Sequence, residues 1–132
     1  MSIATRKIME RMRLEMDYLL IPRIVCLCGS TRFSDAFRDA NLRETLAGRI
    51  VLTIGCDLRA DSELFEHLTM VELQQLKSKL DCLHKRKIDL ADEILVLDID
   101  EYIGDSTASE IAYAARYGKP IRYLSQEQRN DE

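Results

Sequence analysis

The chain alternates short apolar runs with longer amphipathic stretches, and that alternation fixes most of what it can fold into. Residues Ile24–Cys28 read IVCLC, residues 50–54 IVLTI, residues 94–97 ILVL and residues 121–124 IRYL. A short continuous apolar run marks a strand buried on both faces, as the strands of a parallel sheet are. Gly29 and Gly55 end the first two runs. The intervening stretches read as helices. One covers 33–46 and closes at Gly48. A long one carries Leu73, Leu76, Leu80 and Leu83 at spacings of three, four and three. A third covers 107–117 and stops at Gly118-Lys119-Pro120. Strands alternating with helices predict right-handed crossovers and a parallel sheet covered on both sides. The expected fold is therefore α/β, a small doubly wound parallel sheet of about four strands in the order 2-1-3-4, flavodoxin- or Rossmann-like, with an extra N-terminal helix. In that order the topological switch falls between the first and third strands, where ligands bind outside the carboxyl ends.

The 132 residues make one domain. Residues 1–21 form an amphipathic helix, 22–125 the α/β core and 126–132 a polar, frayed tail. In the first segment Ile8, Met12, Met16 and Leu19 or Leu20 recur at helical spacing, and Pro22 stops the helix. Their stripe either packs on the domain or forms a contact between subunits. The stretch 56–69 reads as a loop. Its acids Asp57, Asp61 and Glu63 are candidates for contacting a ligand's base or are simply solvated.

Charge and cysteine usage narrow the partners. A net charge of −4 argues against a broad footprint on nucleic acid or anionic membrane, so any phosphate must be held by a few local donors. No apolar run approaches the ~18 residues of a membrane span, and no apolar stretch follows the N-terminal basic residues. Cys26 and Cys28 share one strand face but stand too far apart for a disulfide. No C-x-x-C pair occurs, and neither histidine lies at a local zinc spacing from a cysteine. All four cysteines are expected to be reduced and mostly buried, in the cytoplasm, with no metal and no cofactor.

Two loops should meet at the switch. The first, Gly29-Ser30-Thr31-Arg32, joins a buried strand to a helix. Gly29 permits close backbone approach, Ser30 and Thr31 supply hydroxyls, and Arg32 supplies a cationic fork beside the free N–H groups of a helix start. The same residues also suit plain capping. The loop is neither a P-loop nor G-x-G-x-x-G, which disfavours ATP hydrolysis and NAD binding. The second loop, residues 98–110, ends in Gly104-Asp105-Ser106-Thr107-Ala108-Ser109-Glu110. Thr107 and Glu110 have capping-box spacing. A carboxylate in a first helical turn also feels the positive end of the helix dipole and stays ionised. Such a positioned carboxylate is what covalent glycosyl transfer needs.

Three stretches, CGSTR, HKRKIDLADEILVLD and IGDSTASEIAYAARYGKPIRYL, resemble the nucleoside 2-deoxyribosyltransferase family, including its 2'-deoxynucleoside 5'-monophosphate N-hydrolase branch. The resemblance covers roughly residues 23–124. It implies cleavage of an N-glycosidic bond by an oligomer, with a nucleotide or nucleoside as the small-molecule partner. Glu110 falls where the family carries its nucleophile. Gly29, Ser30 and Arg32 match a loop around the nucleotide, and Gly104 and Ser106 match positions near its 5'-phosphate. By spacing from residues 91–98, His84 stands where members often have an acidic residue near the sugar. A histidine can donate or accept a proton there, or simply edge the core stripe of its helix. Asp98, at a strand end in the crevice, is expected to touch the sugar hydroxyls or His84. The catalytic set expected is Glu110, His84 and Asp98, with Gly29, Ser30, Thr31, Arg32, Gly104, Ser106 and Thr107 around the phosphate. A nucleotide-binding or sensing domain without turnover is the alternative.

Overall fold

The computed structural model describes residues 2–54 and 65–130, without the side chains of 14–20, 129 and 130. Cys56, Asp57, Asp61 and Glu63 lie outside the described residues. Helix α1 (Ile3–Leu20) precedes the sheet. Then follow β1 (Ile24–Cys28), α2 (Ser34–Leu46), β2 (Ile50–Leu52), α3 (Met70–Leu90), β3 (Glu93–Val96), α4 (Asp105–Arg116), β4 (Ile121–Tyr123) and α5 (Leu124–Asn130). The four strands form one parallel sheet in the order β2-β1-β3-β4, as the alternation predicts.

Alternation along the strands divides the core in two. Val25 and Leu27 of β1, with Leu95 and Leu97, pack on Phe37 and Ala40 of α2 and on Leu124. Cys26 and Cys28, with Ile94 and Val96, pack on Ile88 of α3 and Ala114 of α4. Both faces of β1 and β3 are thus sealed, which is why their sequences run apolar without a break. Each large aliphatic side chain buried this way contributes about 1.5–3 kcal/mol. Gly29 belongs to this packing: a Cβ there would lie 3.1 Å from Leu97 Cβ, so its absence lets β1 and β3 close up.

Several expectations change. The polar tail is not frayed: Leu124–Asn130 is helical, and Asp98 accepts hydrogen bonds from the Ser125 backbone N–H (2.9 Å) and hydroxyl (2.6 Å) at its start. Glu127 of that helix takes ion pairs from Arg43 and Arg122, and Arg122 also reaches the buried Glu44, so charge ties the polar sequence down. The stripe of α3 does not continue to Leu83, which is 53% exposed. It runs through His84 and Ile88, both buried; at 3.6 residues per turn Leu83 lies about 100° round the helix from His84 and about 140° from Ile88, off the buried face. Cys82, on the outer face of that helix, is exposed rather than buried. Along α1, residues 2–13 are all exposed, so over its described side chains the helix does not pack on the domain.

Polar side chains also fix the other element ends. Asp92 accepts from the Ile24 N–H and fixes the start of β1, and Lys87 donates to the Thr53 carbonyl just beyond β2. Asp89 is held by Arg86 and the Tyr113 hydroxyl, bracing α3 against α4.

Candidate active site

The crevice is built where β1 and β3 end. The connection from β1 enters α2 with Phe33 as its N-cap, and no side chain caps that helix. Ser30 Oγ instead accepts from the Arg32 N–H at 3.3 Å, folding the loop on itself. The connection from β3 passes through a short 3-10 turn, Ile99–Glu101, in which Asp100 and Glu101 hold φ of 53° and 62°. Two successive non-glycine residues in the left-handed region are strained, and they turn the chain sharply before Tyr102. Helix α4 starts at Asp105 behind Gly104, again with no side-chain cap. Two helix starts without side-chain caps thus open at the carboxyl ends of the strands, where free N–H groups favour an anion.

The two loops meet through Tyr102. The Arg32 guanidinium lies 4.4 Å from its ring centroid, and Phe33 packs on it edge-on at 5.9 Å. Tyr102 was not among the residues singled out from the sequence. The available signal was an aromatic residue in one loop opposite an arginine in the other. Thr31, Arg32, Tyr102 and Ser106 are exposed along the rim, with Ser30 and Gly104 half-buried. Thr107 is buried in the first turn of α4.

Glu110 occupies the second turn of α4, one turn deeper than its spacing from Thr107 suggests. Gly104, not Thr107, is the N-cap, so the two do not form a capping box. Glu110 is buried, and its Oε2 is sealed from solvent with no hydrogen-bond partner among the described residues. Burial raises its carboxyl to about 6, partly offset by His84. The helix start therefore does not set its ionisation; desolvation does.

His84 comes across from α3. Its Nε2 lies 3.9 Å from Glu110 Oε2 and 3.5 Å from the sulfur of each of Cys26 and Cys28. The fold thus brings together two cysteines that share a strand face with a histidine 56 residues beyond Cys28. Sequence spacing alone gave no sign of it. The hydrogen bond from Cys28 lowers the Cys26 thiol to about 6, against the opposing effect of burial and with help from His84. Cys28 is pushed up in turn by Cys26 and by burial. Burial lowers the His84 pKa, but the Cys26 thiolate and the Glu110 carboxylate outweigh it and leave the imidazole raised.

Asp98 does not join this group by its hydrogen bonds. It is buried, and both its carboxylate oxygens are taken by Ser125, so it holds α5 to the end of β3. Its hydrogen bonds among the described residues run to Ser125 and none to His84. The structure therefore brings Glu110 and His84 together beside β1, sets Arg32, Ser30, Gly104 and Ser106 in the two loops that follow β1 and β3, and bonds Asp98 to Ser125 of α5. No family model, curated protein or solved structure matches the chain.

Proposed function

We propose that the protein cleaves the N-glycosidic bond of a nucleoside 5'-monophosphate, with Glu110 as nucleophile. The observation that carries this reading is Glu110 itself: a buried carboxylate 3.9 Å from a histidine, on the helix that follows β3 of a parallel sheet. The phosphate is held by Arg32, Ser30 and Ser106 with the free N–H groups of α2 and α4. An Oε of Glu110 attacks the anomeric carbon as the bond to the base breaks and its electron pair leaves with the base. His84 donates a proton to the leaving base or takes one from the incoming water. Water then releases sugar phosphate, or a second base accepts the sugar. With a carboxyl titrating at about 6, Glu110 is mostly ionised at neutral pH, as a nucleophile must be.

As part of the same reading, the protein works as a homo-oligomer in a reducing, cytoplasmic compartment. The free thiols of Cys26, Cys28 and Cys82 support the compartment, and the exposed apolar residues of α1 support the oligomer. No described helix is long and apolar enough to cross a membrane. One observation favours binding without turnover: Glu110 Oε2 is sealed from solvent, so a substrate must open the floor to reach it.

The test is free-base release from a panel of ribo- and deoxyribonucleoside 5'-monophosphates, with and without an acceptor base. Wild-type protein is expected to release base and Glu110→Ala to lose at least about 100-fold in rate, the scale on which a missing catalytic group registers. Binding of the same nucleotides without release by wild type would move the reading to the sensing domain.

A further inference from the structure

The sulfurs of Cys26 and Cys28 and a ring nitrogen of His84 lie within 4.8 Å of one another, all three residues being buried. Two thiols and an imidazole are the donors a zinc-like cation prefers, whereas calcium and magnesium require oxygen. The nitrogen-to-sulfur spacing fits as well as the chemistry. Bonds of about 2.3 Å to sulfur and 2.0–2.1 Å to nitrogen at tetrahedral angles hold S and N about 3.5 Å apart. His84 Nε2 stands 3.5 Å from each sulfur.

The second observation is the carboxylate above them. Glu110 has a side chain 9% exposed, and its Oε2 is sealed, unpartnered and 3.9 Å from the same His84 nitrogen. A buried polar atom left without a partner costs about 1–3 kcal/mol and calls for an explanation such as an ion. In a tetrahedral site a carboxylate oxygen stands about 3.4 Å from the imidazole nitrogen. Glu110 therefore has about half an ångström to close, within reach of side-chain rotation.

We propose that Cys26, Cys28 and His84, completed by Glu110 as fourth ligand, bind a zinc-like divalent cation. Entry is by way of His84 and Glu110, which keep 5% and 7% of their surface while both cysteines keep none. Binding exchanges the cysteine protons for the ion, so no oxidant or reductant is needed. One consequence rests on the glycosidic reading: a cation that takes Glu110 removes the nucleophile, and the loaded protein is inactive. The binding itself does not depend on that reading.

Reduced whole chain, stripped with a chelator, is titrated with cobalt(II) and then zinc. One equivalent of cobalt is expected to bring thiolate-to-cobalt absorption in the near ultraviolet and the strong visible bands of a tetrahedral site. One equivalent of zinc should erase both. Cys82→Ser should leave the spectrum intact. Cys28→Ser should weaken binding by more than the roughly 100-fold that loss of an outer partner costs. Glu110→Gln should keep the thiolate absorption but weaken zinc by at least about tenfold. Because core variants can fail to fold, the wild type is also melted with and without zinc, and the midpoint should rise with zinc. No thiolate absorption in folded wild type under excess cobalt, unchanged cobalt affinity and absorption in Cys28→Ser, unchanged zinc affinity in Glu110→Gln, or an unmoved melting point would each overturn the site. Base release by the metal-free protein reads the glycosidic reaction separately, and added zinc should suppress it.

Discussion

At the residue scale, the rim and the floor make different predictions. Arg32 is exposed, and among the described residues its guanidinium lies against the face of Tyr102, so under the proposed function its charge is free to meet a phosphate. A hydrogen bond to a charged group is worth about 1.5–3 kcal/mol, so Arg32→Ala should raise KM for a nucleoside 5'-monophosphate by about 10–100-fold. KM for the dephosphorylated nucleoside should hardly move. Equal losses on both would show that Arg32 does not read phosphate. On the floor, burial raises the folded-state carboxyl of Glu110 from 4.5 to about 6. The sign follows from linkage: above pH 6 both folded and unfolded chains carry the charge and folding bears its desolvation, whereas below 4.5 neither does. Glu110→Gln should therefore stabilise metal-free protein at pH 8 by about 2 kcal/mol, the free energy that a rise from 4.5 to about 6 represents, and the gain should shrink as pH falls from 6 to 4.5. Equal stabilisation at pH 8 and pH 4.5 in melting curves would assign the effect to packing instead. Glu110 and the two rim loops were legible because a helix start after a strand is a local pattern. The cluster around His84 was not, because Cys26 and His84 are 58 residues apart and only the packing of α3 on β1 joins them.

At the scale of elements, β1 and β3 are written in apolar runs because both faces are buried, and their ends could be read to within a residue. Helix α5 was missed for the opposite reason. Its sequence, LSQEQRN, offers almost no apolar stripe, and what holds it is Asp98 at one end and the Arg43 and Arg122 pairs to Glu127 along it. Nothing in the tail itself records those partners. The same geometry gives Asp98 a structural role that separates cleanly from a catalytic one. Asp98→Ala removes two hydrogen bonds to a buried carboxylate, and a cost of about 2–3 kcal/mol is expected. Denaturant unfolding should record that loss while kcat per folded molecule stays within about twofold, well short of the roughly 100-fold or more expected from a proton-transferring group. A kcat collapse in protein of wild-type stability would return Asp98 to the reacting sugar.

At the scale of the whole molecule, the sheet packs between its helices, and over the described side chains α1 stays outside that packing. Ile3, Ile8, Met9 and Met12 are 74%, 60%, 50% and 55% exposed on a helix whose N-terminal half touches no core. Ile8 and Met12 lie one turn apart, so they form one side of a stripe rather than scattered surface residues. Large contiguous apolar patches are uncommon on monomers, and a helix stripe is readily made self-complementary across a two-fold axis. The sequence favoured packing on the domain and kept packing on a partner as the alternative, because periodicity tells which face is apolar and not what covers it. With the domain excluded for the described side chains, a second copy is the occupant expected of that stripe. Light scattering over a range of concentrations should then give a multiple of the 15.2 kDa chain mass. Ile8→Glu combined with Met12→Glu should return the single-chain mass with unchanged helical content, because both charges would be buried in the contact and neither in the fold. A wild type already at single-chain mass, or an assembly indifferent to the two glutamates, would remove α1 from any interface between copies.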